Sequence, residues 1–224
     1  MNKYLEKLAK LTITNILIVS SSWQGIAHAD HVSEAIVRRA NLGSRCHVEA
    51  AIPFRGTMGG SYSVRRQSNG GGFSISEFPK KISNGSLSVN MMCFNITDLH
   101  FPRDTSVRFD ENTQTWKKDF SERDYVNSAE NRRRLNAASR VYTIHAKNST
   151  GYVYTENDLT GEESRRDRNM SFCLLRPPKA LCGNGIVMRL SDPKSDTLPY
   201  VFQILKSMEF IEDAPETAGI ADEK

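Results

Sequence analysis

The chain has 224 residues, 30 Lys and Arg against 26 Asp and Glu for a formal net charge of +4, and 38% hydrophobic residues. So mild a charge excludes the basic footprint of a nucleic-acid binder and gives no pull towards an anionic membrane. The length suits one large domain with its own core.

Lys3, Lys7 and Lys10 precede an apolar run from Leu11 to Val19, and Ala27-His28-Ala29 follows. A basic flank, a short apolar segment and an A-x-A site are the layout of an export signal. Thr12, Thr14 and Asn15 interrupt the run, which falls short of the roughly 20 apolar residues that cross a bilayer. Residues 1–29 are therefore read as a signal peptide cleaved after Ala29, with an anchored or frayed amphipathic helix as the competing reading. What remains is periplasmic or secreted, without stable membrane insertion. The leader takes three Lys and one Glu with it, which lowers the net charge to +2.

After the leader, Val32, Ile36, Val37 and Ala40 recur at helical spacing and Gly43 stands where a helix would stop, which predicts a short helix over 30–40. Strand signals follow at Cys46 to Ile52, ended by Pro53, then at Tyr62 to Arg66, Phe73 to Phe78 and Leu87 to Ile96. Ser68-Asn69-Gly70-Gly71-Gly72 reads as a hairpin tip between two of them, and the lack of Lys or Thr after its glycines argues against a phosphate cradle. Residues 97–120 read as irregular. Ser121 with Asp124 suggests a helix start, running through Tyr125, Ala129 and Leu135 to Ala138.

Further strands are expected at Val141 to Ala146, Tyr152 to Thr155, Met170 to Leu175 and Ile186 to Leu190. Thr197 and Pro199 then open a helix whose Leu198, Val201, Phe202, Leu205 and Met208 share one side, a stripe for covering a sheet. The stretch 212–224 is acidic, holds Pro215 and Gly219, and reads as a flexible tail. The pattern is an α+β domain over residues 30–211, a mainly antiparallel sheet packed by helices that include a C-terminal one.

The four cysteines, Cys46, Cys93, Cys173 and Cys182, all follow the leader, and an even count in an oxidising compartment calls for disulfides. Arg176-Pro177-Pro178-Lys179 reads as a turn that brings Cys173 beside Cys182, leaving Cys46 for Cys93. Zinc is the weaker alternative, since the spacings contain no C-x2-C pair.

Catalysis leaves little trace. The sequence has no G-x-S-x-G elbow, H-E-x-x-H helix, Walker loop or dinucleotide fingerprint, so no catalytic, metal or cofactor residue is assigned. His31, His47, His100 and His145 stand singly, and Asp30 with His31 reads as a solvated end. His145 should lie opposite Tyr142 and Ile144 on its strand, and Glu162 and Glu163 should be solvated on a turn. A hydrolase would have to assemble a dispersed site, for instance from His100, His145 and the Glu162 turn.

Binding is the better expectation. Asp98 to Glu122 exceeds an ordinary connection, and loops of that length are commonly functional or disordered. Trp116, among Lys117, Lys118 and Asp119, is either an anchor for a partner or a core plug. Arg65-Arg66, Arg132-Arg133-Arg134 and Arg165-Arg166 with Arg168 are by default solvated, but Trp116 with Arg132, Arg133 and Arg134 form the candidate surface for an acidic protein partner.

Gly161-Glu162-Glu163, then Met170-Ser171-Phe172, a strand to Leu190, and Leu198 to Phe210 containing Ile204-Leu205-Lys206-Ser207 resemble the last part of periplasmic immunity proteins that neutralise type VI secretion lipase effectors. Val48 to Pro53 resembles their early strand, and the last helix also resembles the end of PsbP-like α-β-α sandwiches. The resemblance implies inhibition of a delivered toxin by occlusion and carries no binding residue across. The chain is thus read as an exported, non-catalytic protein-binding module. The alternative is a binder of a small ligand or envelope component, which calls for an apolar cavity with a few convergent polar groups.

Overall fold

In the computed structural model the described residues are 35–43, 46–53, 55–63, 68–78, 82, 86–97, 106–121, 123, 126 and 128–211, with backbone alone at 61–63, 68 and 69. The leader, the acidic tail, His31, His100 and Arg65-Arg66 lie outside them. In chain order the elements are β1 (Ile36–Asn41), β2 (His47–Ile52), β3 (Thr57–Ser63), β4 (Ser68–Ile75), β5 (Leu87–Asn95), β6 (Val107–Asp110), β7 (Thr115–Lys118), α1 (Ala129–Ala138), β8 (Ser139–His145), β9 (Thr150–Asn157), β10 (Asp167–Arg176), β11 (Lys179–Arg189), α2 (Leu198–Ser207) and β12 (Glu209–Ile211).

Seven strands form an antiparallel sheet in the order β3-β4-β5-β11-β10-β9-β8; β1-β2-β12 make a second sheet and β6-β7 a separate hairpin. The fold is α+β, mostly β, with one of the two α-helices among the described residues near their C-terminal end. Strict alternation gives the large sheet two different faces. On β5, Leu87, Val89, Met91 and Cys93 are buried, whereas Ser88, Asn90 and Met92 are exposed.

One face packs on α2 and the small sheet, in a core that joins Val48 and Ile52 to Met91, Phe172, Leu174 and Leu181 and to Val201, Ile204 and Leu205 of α2. Each fully buried aliphatic side chain here contributes about 1.5–3 kcal/mol by leaving water. Helix α2 is held at both ends: Asp196 Oδ1 accepts from the Leu198 amide at 3.0 Å, and Ser207 Oγ accepts from the Ala51 amide at 2.9 Å while donating to the Ile204 carbonyl at 2.7 Å. Ile204 joins the expected stripe, and Phe202 sits at its margin, edge-on to Tyr142 at 5.0 Å.

Among the described residues, the opposite face is covered over only part of its width. Val107, Trp116 and Phe120 pack on Tyr152, Tyr154, Cys173 and Leu175. Across β5 and β11 the same face leaves Ser88, Asn90, Met92, Asn184 and Ile186 exposed.

Both disulfides join the expected partners. Cys46–Cys93 ties the start of β2 to the end of β5 across a sequence separation of 47, and Cys173–Cys182 joins directly opposed residues of β10 and β11. The Pro177-Pro178 turn connects those two strands.

Four expectations need correction. The helix read over 30–40 is, from Ile36 on, the strand β1, paired with β2 from Ile36↔Ile52 to Asn41↔His47. The β-branched Ile36 and Val37 suit that pleat, and cross-strand pairing overrides a short helical spacing. The glycine run is no hairpin tip: Gly70, Gly71 and Gly72 lie inside β4, hydrogen-bonded to β3 on one side and β5 on the other. A Cβ on Gly71 would stand 2.4 Å from the Gly59 carbonyl oxygen and 2.5 Å from a Leu42 methyl, so glycine is what lets Leu42 seat there.

Residues 107–118, read as irregular, form the β6–β7 hairpin, whose turn is fixed by Asp110 Oδ1 accepting from the Asn112 and Thr113 amides at 2.9 and 3.2 Å. The helix expected from Ser121 starts at Ala129, because Ser128 is its cap, accepting from the Asn131 amide at 3.1 Å.

Candidate functional site

Helix α1 has one buried side chain, Leu135, and a surface otherwise polar. Such a helix is not held by an apolar stripe, so its ends must be secured. Ser128 caps the first turn. At the other end Ser139 Oγ donates to the Leu135 carbonyl at 2.8 Å, Lys118 Nζ to those of Asn136 and Ser139 at 2.6 and 3.2 Å, and Arg140 Nη1 to those of Ala137 and Ser139 at 2.9 and 2.7 Å. Two cations from β7 and β8 thereby satisfy the carbonyls that a helix terminus leaves open and meet the negative end of its dipole. Burial, and then the neighbouring Arg140 charge, hold the Lys118 ammonium below the usual lysine pKa.

On this pinned helix Arg132, Arg133 and Arg134 are exposed. Arg133 pairs with Glu130 at 2.8 Å, an exposed i,i+3 contact worth at most about 0.5 kcal/mol. Arg132 and Arg134 have no ion-pair partner among the described residues.

Arg134 also borders a cleft of about 420 Å³ between α1 and the end of β9, lined with Asn131, Leu135, Glu156, Asp158, Leu159 and Thr160. Its two carboxylates are already engaged. Glu156 Oε2 accepts from Arg123 Nη1 at 2.9 Å and from the Tyr154 hydroxyl, while Asp158 accepts from the Asp167 amide at 2.9 Å and Asn169 Nδ2 at 2.7 Å. The Arg123 guanidinium lies 5.8 Å over the Tyr154 ring. Burial, then the bond to Glu156, raise the Tyr154 pKa far above the usual tyrosine value, so the phenol stays a donor. With those acids satisfied internally, the Arg134 fork is the cleft group with donors to spare, suited to an incoming carboxylate.

Trp116 serves differently. Its ring, half-buried, lies 4.7 Å from Tyr152 and 5.2 Å from Phe109, in the cluster that also holds Cys173 and Cys182. It faces the sheet as a plug over that disulfide. Two residues on, Lys118 leaves the same side of β7 for the end of α1, so the hairpin and the arginine helix are fastened together.

The dispersed hydrolase site finds no support in the described part. His145 is exposed and pairs in register with Thr150, at the start of β9, whereas Glu162 follows the other end of that strand, about 23 Å away at 3.3 Å per residue. Glu162 is occupied with Arg165 at 3.2 Å and Ser164 Oγ at 2.7 Å. No group of three or more His, Cys, Asp or Glu among the described residues could hold a metal ion.

The sequence missed Lys118, Arg123 and Glu156, because each acts across elements far apart in the chain, and Arg140, which reaches back only to Ala137 and Ser139 at the end of the helix. The one local signal was the Ser128-x-x-Asn131 cap beside the polar run.

No family model matches the chain, and no curated protein matches it. Among solved structures, a crystal structure of a protein from Bacteroides thetaiotaomicron VPI-5482 at 1.50 Å resolution is similar over 74% of this chain, at 7% identity and a TM-score of 0.35. The chain spans 46% of that protein's length.

Proposed function

We propose that this is an exported binding protein with no chemistry of its own, which grips an acidic protein partner through α1 in the manner of an immunity-type inhibitor that occludes a delivered toxin. The observation that carries the reading is the pair of guanidiniums, Arg132 and Arg134, without an ion-pair partner among the described residues, on a helix capped at its start by Ser128 and clamped at its end by Lys118 and Arg140. Fixing the helix removes part of the ordering cost of binding, and an arginine without an internal partner loses no existing ion pair when a carboxylate arrives. Both disulfides fit an oxidising compartment, and among the described residues no helix is long and apolar enough to cross a membrane.

The test is cross-linking and capture in the native periplasm, comparing the wild-type chain with Arg132→Glu/Arg134→Glu. The reading expects a reproducible acidic protein whose recovery falls at least tenfold in the variant and with rising salt. Equal recovery by both chains, or no protein recovered by either, would refute it.

A further inference from the structure

The part of the large sheet that no described residue covers carries a second surface, separate from α1. At its centre lies a row of directly opposed residues running across four strands: Ser171 on β10, Asn184 on β11, Asn90 on β5 and Gly72 on β4, with Gly59 of β3 continuing it. Asn90 and Asn184 are exposed, and among the described residues the side chains of Ser88, Asn90 and Asn184 have no hydrogen-bond partner. These groups open on a cleft of about 510 Å³ lined by Ser86, Ser88, Asn90, Asn169, Asn184 and Ile186, and no described lining residue is charged. Met92 borders the row on one side and Ile186 on the other, 47% and 54% exposed.

We propose that this cleft binds a neutral, β-linked glycan strand lying across the β-strands. Three properties of the surface select that ligand. Unpaired amides and hydroxyls, each able to donate and accept, match the paired hydroxyls of a sugar and give nothing to an ion, for which a fixed charge would be present. Neighbouring strands are about 4.8 Å apart, close to the advance of one hexose along an extended β-linked glycan, so successive residues of the row meet successive sugars. Gly59 and Gly72 lower the surface at one end of the row, while Met92 and Ile186 offer apolar walls to the C–H faces of the rings. A second copy of this chain fits poorly, because two isolated apolar side chains among amides are too little to hold two such faces together.

The rigidity of the platform favours a weakly held ligand. Asn184 is two residues from Cys182, and Asn90 three from Cys93, so a disulfide anchors each strand of the central pair close to its amide. Little order remains to be imposed when a glycan docks.

Calorimetric titration of the full chain with cellotetraose and with chitotetraose tests the proposal. Binding of at least one, with Kd of about 1 mM or tighter, is expected, with a tenfold or greater loss in Asn90→Ala/Asn184→Ala. Ser88→Arg, an exposed change that fills the cleft, should abolish it, whereas Arg132→Glu/Arg134→Glu should leave it untouched. Failure of both sugars to bind, or undiminished binding by a folded Asn90→Ala/Asn184→Ala or Ser88→Arg chain, would overturn it. Loss of a captured protein by Ser88→Arg without any sugar binding would assign the face to a protein and equally overturn it.

Discussion

Removing the two disulfides one at a time separates their contributions by an amount that follows from chain length alone. Cys46 and Cys93 are 47 residues apart, Cys173 and Cys182 nine. In the loop-closure treatment the longer link restricts the unfolded chain by about 4 kcal/mol and the shorter by about 2.6, a difference of about 1.5 kcal/mol in which the constant part cancels. Native geometry widens the gap: Cys173 and Cys182 sit opposite one another on strands already paired over ten positions, whereas Cys46–Cys93 connects the small sheet to the large one. Alanine is the replacement of choice, since Cys46, Cys93 and Cys173 are buried and a serine hydroxyl there would lack a partner. Urea unfolding of Cys46→Ala/Cys93→Ala and Cys173→Ala/Cys182→Ala, read by tryptophan fluorescence and far-UV circular dichroism, measures both losses. The expected order is a larger loss for the first pair. A loss under about 1 kcal/mol for Cys46→Ala/Cys93→Ala, or the reverse order, refutes the reasoning. Alkylation of the unreduced chain should meanwhile find none of the four thiols reactive.

Two further outcomes test the site. Lys118→Met keeps the length of the stem but leaves the Asn136 carbonyl without its donor; a cost of about 1–2 kcal/mol is expected in urea unfolding, with accelerated hydrogen exchange confined to α1, and unchanged exchange there would contradict its role as a clamp. Because the pKa of Tyr154 is raised in the folded chain, folding favours the neutral phenol. The stabilisation is complete below the unfolded value of about 10 and is lost as pH climbs beyond it, so stability should fall above pH of about 10 and Tyr154→Phe should flatten that fall; identical slopes in the two proteins would sink the assignment.

The legible elements are those whose signals are local. Leu87-Ser88-Val89-Asn90-Met91 announces a half-buried strand by alternation, and the α2 stripe with Pro199 in its first turn announces a covering helix. The cysteine pairing followed from a single turn. What failed depended on distant partners. Gly70–Gly72 carry the composition of a turn, but their place is decided by Leu42, some thirty residues earlier, which needs a surface without Cβ atoms. Ile36 and Val37 fit a helix or a strand equally by spacing, and β2 decided between them. In β6 and β7 the alternation is masked by Arg108, Lys117 and Lys118, exposed or turned to the ends of other elements. For the candidate surface of Trp116 and Arg132–Arg134, the sequence had no means of telling Trp116 the plug from Trp116 the anchor, since that depends on Tyr152 lying beneath it.

The division of one sheet face into a covered and an uncovered part ties these observations together. Tyr152, Tyr154 and Cys173 give the β9–β10 side an apolar surface that water would penalise, and the β6–β7 hairpin covers it with Trp116 and Val107. On β5 and β11 the corresponding outward positions include Ser88, Asn90, Met92, Asn184 and Ile186, and covering them would strand amides that have no partner among the described residues. The hairpin therefore stops at the boundary set by Cys173–Cys182, and the arginine helix that it clamps stays on the covered side. Two surfaces of opposite character, one cationic on α1 and one neutral on the bare strands, are thus held at fixed positions by a single sheet. A change in either is expected to leave the other intact, which is why charge reversal at Arg132 and Arg134 and cleft filling at Ser88 are informative as a pair.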